Sequence, residues 1–97
     1  MHTLTLPPGG REHAHLHRNH ETAIYIVSGT AAMYFGDDLS QHIAIDTGQF
    51  LYIPPNVPHL PYNPSETEPC VVVLARTDPN EQESVVLLPD IERQLHL

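Results

Sequence analysis

Lysine and tryptophan are absent from this chain, and four arginines make up its whole basic complement apart from histidine. Set against twelve Asp and Glu, they leave a formal charge of −8. Such a surface offers no cationic patch for phosphate, which excludes nucleic acid as a partner and disfavours an anionic membrane. Cysteine is nearly missing: Cys70 stands alone, so no intrachain disulfide can form. Its valine neighbours, Val71–Val73, place it on a strand as a buried, inert thiol. No apolar run approaches the ~20 residues that span a bilayer as a helix. Met1–Pro7 lacks the basic flank and apolar stretch of a signal peptide, so the expected location is the cytoplasm. Capped helical periods are missing as well. The ten prolines lie almost all at segment edges, and proline removes a backbone donor and breaks helix interiors.

What the chain does contain is a succession of short β-branched and aromatic segments, each closed by turn residues. Strands are expected at Thr3–Leu6, Glu12–His17, Thr22–Val27, Ala31–Phe35, His42–Ile45, Phe50–Ile53, His59–Tyr62, Cys70–Ala75 and Val85–Leu88. Between them lie Gly- and Pro-rich turns, the hairpin-type turn Gly36-Asp37-Asp38 and the polar loop Asn63–Glu68. Residues 89–97 read as a short helical turn or a frayed end. Strands at this spacing make an all-β sandwich or barrel. No repeat or linker divides the chain, so residues 1–97 are expected to form one domain. With 40% apolar content, its core is thin at this size. Association stabilises such a domain, and a homodimer is the expected state. An exchanged first or last strand is one way to cover an open sheet edge.

Histidine breaks the pattern of scarcity: four of the eight fall between positions 13 and 20. A strand through Glu12–His17 turns His13, His15 and His17 to one face. Two imidazoles one residue apart can chelate a single ion from that face, and Glu21, an even step further, adds a carboxylate through a short loop. His59, at the end of a proline-bounded turn, is the candidate for a fourth ligand. Imidazoles with one carboxylate form a mixed N/O set suited to Mn, Fe, Co, Ni or Zn, and to neither calcium nor a thiolate-seeking ion. Four protein ligands on a six-coordinate ion leave two positions for water, substrate or dioxygen. The competing interpretation is a solvated His-rich surface, because short motifs match by chance. His2, His42 and His96 are assigned to ordinary hydrogen bonding.

With these residues in view, the sequence resembles the cupin family. The family's first motif, G-x5-H-x-H-x3-4-E-x6-G, runs from Gly9 through His15, His17 and Glu21. The second, G-x5-P-x-G-x2-H-x3-N, runs from Gly48 through Pro54, Asn56 in its glycine slot, His59 and Asn63. Together they cover residues 9–63. The resemblance implies a cupin-type double-stranded β-helix (jelly-roll) barrel holding one divalent transition metal ion on His15, His17, Glu21 and His59. The pair His13/His15 fits worse, because it breaks the spacing from Gly9. Two departures bear on this set. Seven residues rather than six separate Glu21 from Gly29, so counting back from Gly29 puts Thr22 in the carboxylate slot. Glutamate is the better ligand, and Glu21 with a local bulge is expected; a three-histidine site, or His20 in its place, is the alternative. Asn56 replaces a glycine whose backbone needs the left-handed region, which asparagine tolerates.

With His59 facing inward, parity brings Pro61 and Asn63 to the same side. Thr22, Ile24 and Ile26 share one face of their strand, opposite Tyr25 and Val27. The expected pocket is mostly apolar and suits a small ligand bearing a carboxylate, enolate or hydroxyl. The resemblance implies a metalloenzyme of dioxygenase, isomerase or decarboxylase type, acting on a small carbonyl, enolisable or phenolic compound. His13 or His20 is the expected base outside the metal's own ligands. A non-catalytic ligand-binding or sensor barrel and a dimer stapled by a structural metal are the alternatives, since one fold supports many chemistries.

Overall fold

The computed structural model of the chain describes residues 1–77 and 85–95. Among these residues the elements run β1 His2–Leu6, β2 His15–His17, β3 Thr22–Ser28, β4 Thr30–Phe35, β5 Gln41–Asp46, β6 Phe50–Ile53, β7 His59–Tyr62, β8 Cys70–Arg76, β9 Val85–Leu87 and α1 Pro89–Gln94. One sheet has the order β1-β8-β3-β6 and the other β5-β4-β7-β2-β9. All pairings are antiparallel. The two sheets face each other as a jelly-roll barrel. No helix among the described residues is long and apolar enough to cross a membrane.

Period-two alternation fills the barrel. β8 turns Cys70, Val72 and Leu74 inward, where they meet Ile26, Leu6, Ala31 and Ile45. Each fully buried aliphatic side chain contributes roughly 1.5–3 kcal/mol. Thr22, Ile24 and Ile26 face the interior as expected, while Tyr25 and Val27 face out. Cys70 is fully buried, and burial raises its thiol pKa. β3 and β8 shift register between Ile26 and Ser28, a bulge that bends β3 into the turn at Gly29. Only glycine serves there: φ is 82°, and a Cβ would lie 2.5 Å from the Pro69 carbonyl oxygen.

A second apolar cluster lies on the other side of the five-stranded sheet. Ala14, Leu39 and Leu60 are buried there beneath Tyr34, Tyr62, Leu88, Ile91 and Leu95. Leu39 arrives from the β4–β5 turn with a left-handed backbone, φ 59°, so a turn expected only to reverse the chain also supplies a core residue. Of the terminal segment, residues 89–94 are helical, opening on Pro89, whose missing N–H has no partner to lose at that position. His96 lies outside the described residues.

Two local expectations change. The strand expected over Glu12–His17 begins only at His15, because residues 12–14 bond elsewhere. The Glu12 N–H donates to the Pro61 carbonyl at 3.0 Å, the Leu88 N–H to the Ala14 carbonyl at 2.9 Å, and the Ala14 N–H to the Glu92 carboxylate at 2.6 Å. His13 is exposed at this kink, its Nδ1 3.4 Å from Glu92 Oε2, outside the strand yet bordering the same outer cavity as His15 and His17. Asn63, expected in the pocket, is a buried loop staple. Its amide nitrogen donates to the carbonyls of Leu6 (3.1 Å), Pro7 (3.2 Å) and Glu68 (2.8 Å), and its oxygen accepts the Ser65 N–H at 3.0 Å.

Candidate metal centre

Antiparallel register sets His15 of β2 directly opposite His59 of β7, and alternation puts His17 on the same face as His15. The ring centroids lie 4.3 Å apart for His15 and His59, 5.2 Å for His15 and His17, and 5.8 Å for His17 and His59. One nitrogen from each ring falls within 4.8 Å of the others. His17 and His59 are buried and His15 is half-buried. His15 Nδ1 lies 2.6 Å from the His13 carbonyl and His59 Nδ1 lies 2.9 Å from the Val57 carbonyl. A carbonyl only accepts, so each Nδ1 carries the hydrogen, which leaves Nε2 as the nitrogen through which a neutral ring could bind a metal. Asn56 adopts the left-handed backbone expected of it, φ 65°. Its N–H donates to the His17 carbonyl at 3.0 Å, and its Oδ1 accepts the Asn19 N–H at 2.9 Å. One residue thereby ties the loop before His59 to the end of β2.

Burial lowers the pKa of His59 from 6.5 to about 3, with a further contribution from His15; the Val57 bond opposes this, and His17 and Arg76 reinforce it. The neutral ring is the form that binds a metal. It also predicts acid sensitivity in the metal-free protein. Above pH 6.5 neither folded nor unfolded His59 holds a proton, and stability is complete. Between pH 6.5 and about 3 the unfolded chain takes up a proton that the native ring refuses, so stability falls by about 1.4 kcal/mol per pH unit. Urea melts at pH 7 and pH 5 are expected to differ by roughly 2 kcal/mol from this source. His59→Gln should narrow the gap by that amount, and an unchanged gap would refute the assignment.

The structure does not bring Glu21 to the three histidines. Thr22 is the inward residue of β3, so Glu21 is exposed one place earlier, where it accepts a bond from the Tyr52 hydroxyl at 2.8 Å. That bond raises the pKa of the Tyr52 phenol. The bulge falls after Thr22, between Ile26 and Ser28, and leaves Glu21 on the outside. Counting back from Gly29 therefore identifies the inward position. The Thr22 hydroxyl there accepts a bond from Arg76 Nε at 3.1 Å. His20 also lies apart, its Nδ1 3.3 Å from Thr77 Oγ1. His42 hydrogen-bonds the Tyr62 hydroxyl at 2.8 Å, a structural contact of the kind expected.

The histidines stand where an interior cavity of about 60 Å³ meets an outer vestibule of about 280 Å³. The inner walls are largely aliphatic, as expected. Glu12 and Arg76 join His15, Leu4 and Leu74 in bordering both spaces, and sequence reasoning gave neither charged residue a role. Arg76 was legible, because the inward alternation of Cys70, Val72 and Leu74 continues to it. Glu12 was not, since its placement follows from the kink at residues 12–14.

The fold is a double-stranded β-helix with a three-histidine group at its throat. A model of the cupin domain matches residues 2–76, and the chain belongs to the cupin family. An uncharacterised protein with a double-stranded β-helix domain from Klebsiella pneumoniae has a similar structure, with TM-score 0.71, 19% identity, and coverage of 88% of this chain and 70% of that one. The capsular polysaccharide assembling protein CapF from Staphylococcus aureus gives TM-score 0.72 and 21% identity over 89% of this chain and 27% of that one. A putative sugar phosphate isomerase from Acidithiobacillus ferrooxidans gives TM-score 0.65 and 25% identity over 76% of this chain and 46% of that one. This chain thus spans less than half the length of the latter two. No curated protein matched the sequence.

Proposed function

We propose that this cupin domain, residues 1–97, is a small metalloenzyme in which His15, His17 and His59 hold one divalent transition metal ion, Mn, Fe, Co, Ni or Zn. Its substrate is a small carbonyl, enolisable or phenolic compound, and its chemistry is of dioxygenase or isomerase type. The carrying observation is the convergence of three imidazole nitrogens within 4.8 Å, at a throat that opens into the vestibule. A bound ion supplies a Lewis acid that polarises a carbonyl or steadies an enolate. The aliphatic wall keeps water from the reacting end, and Glu12 is the carboxylate that would accept a proton; His13, which borders the same vestibule, is the alternative base, whereas His20 borders neither space. Glu21, held by Tyr52, joins the ligand set only by breaking that bond. Isomerase-type chemistry is in keeping with the putative sugar phosphate isomerase above, and CapF has been solved with the inhibitor 3-isopropenyl-tropolone.

The test is metal-loaded protein incubated with a panel of small carbonyl and phenolic compounds, following oxygen uptake and product formation. Turnover that disappears in His59→Ala supports the enzyme. Ligand-induced thermal stabilisation without product would replace it with a binding barrel.

The proposed assembly is a homodimer in the cytoplasm. The outer face of the four-stranded sheet exposes Phe50 at 77% and Tyr52 at 57%, with the Tyr25 ring 4.8 Å from that of Phe50, an apolar area that a second copy would cover. Light scattering at micromolar concentration is expected to give twice the chain mass of 10.9 kDa; a single-chain mass would rule the dimer out.

A further inference from the structure

The place where a metal-ligating carboxylate was expected holds a cation. Thr22 occupies that inward position, and its hydroxyl receives Arg76 Nε at 3.1 Å. That contact uses one edge of the guanidinium, whose planar fork carries further donors. Arg76 borders the inner cavity and the vestibule together with His15 and Glu12, and forms no ion pair with Glu12 among the described residues. Three neutral imidazoles leave the charge of a dication undiminished, and Arg76 adds another positive charge beside it. A site so charged favours an anion bound together with the ion.

Glu12 limits which anion. Its carboxylate repels a dianion such as phosphate, yet accepts a hydrogen bond from a hydroxyl. A single guanidinium also matches the flat geometry of a carboxylate through two parallel bonds. The inner cavity of about 60 Å³ admits only a few heavy atoms.

Resting on the metal-site reading above, we infer that Arg76 is the anion-selecting residue. It would hold the carboxylate of a small monocarboxylic acid that carries a hydroxyl or oxo group on the adjacent carbon. The hydroxyl or oxo oxygen on the adjacent carbon is directed to the three histidines, and Glu12 accepts from the hydroxyl where there is one.

The probes are L-lactate and its neutral amide, lactamide, titrated calorimetrically into Co²⁺-loaded protein whose metal content is measured on the same sample. Lactate is expected to bind roughly tenfold or more tightly than lactamide, as a charge-assisted bond implies. Arg76→Gln should lose most of that advantage, keeping only what the metal ion contributes, while binding lactamide and Co²⁺ no more weakly than wild type, and Arg76→Lys should recover part of it. Equal binding of lactate and lactamide to wild type, undiminished lactate binding by Arg76→Gln, or tighter binding of inorganic phosphate than of lactate would each overturn the inference. A wild type that holds Co²⁺ but shows one of these results refutes the Arg76 assignment alone. A wild type that holds no Co²⁺ refutes the metal reading, and lactate titrated into that metal-free protein still decides the matter: Arg76-dependent binding supports the assignment, and its absence overturns it.

Discussion

Protein purified without a polyhistidine tag is expected to carry about one equivalent of a divalent transition metal, and a His15→Ala, His59→Ala double variant none, as read by elemental analysis. The two rings face each other across β2 and β7, and one nitrogen of each lies within 4.8 Å of the other and of one from His17. With both removed, His17 alone cannot retain an ion against buffer. Losing an orienting partner of a ligand costs roughly 10–100-fold in affinity, and losing ligands outright costs more. His59 is buried, so its truncation also leaves a void. The single variant His15→Ala, at a half-buried position, separates loss of the ligand from loss of the fold. Glu21→Gln is expected to keep its metal, because the Glu21 carboxylate lies against Tyr52. Loss of metal in that variant would restore the four-ligand set. A wild type that refuses every added divalent ion would refute the three-histidine assignment.

Asn63→Asp is expected to lower stability by ~3 kcal/mol, about the cost of a buried charge facing unpaired acceptors. For a domain of this size that corresponds to a fall in Tm of roughly 12–24 °C. The amide nitrogen of Asn63 serves three carbonyls, two at the end of β1 and one at Glu68, just before β8. Aspartate replaces that donor with a second oxygen, which leaves all three carbonyls without it and sets negative charge among them. The residue is 2% exposed, so water cannot compensate. Thermal melts by circular dichroism check the prediction, and a change within about 0.5 kcal/mol, typical of surface substitutions, would show that the staple carries no weight. Asn63 stands in the second cupin motif, where sequence parity placed it in the pocket. Its contacts close a loop instead.

Local chemistry made much of the barrel legible. β-Branched and aromatic runs closed by Gly, Pro and Asn located the strands, because strand propensity and turn preference depend on a few adjacent residues. The left-handed Asn56, the buried Cys70 and the inward set Thr22, Ile24 and Ile26 followed from the same short-range rules. The histidines were legible as well, since H-x-H spacing puts two imidazoles on one face whatever that strand later pairs with. Side and distance were not. His13 falls outside the strand because Glu92 of α1, remote in sequence, captures the backbone before His15. Glu12 entered the cavity through that same kink, and Leu39 became a core residue only because its turn folds over the outer face of β4 and β7.

The sequence by itself determined an all-β chain, the strand positions and three histidines able to share an ion, because each depends on neighbours within a few residues. Only the tertiary structure decided that Thr22 with Arg76, and not Glu21, occupies the inward position, and that His15 meets His59. The side a residue faces changes with every one-residue slip, and where β3 places its bulge and how β2 registers on β7 are set by pairings between segments far apart in the chain.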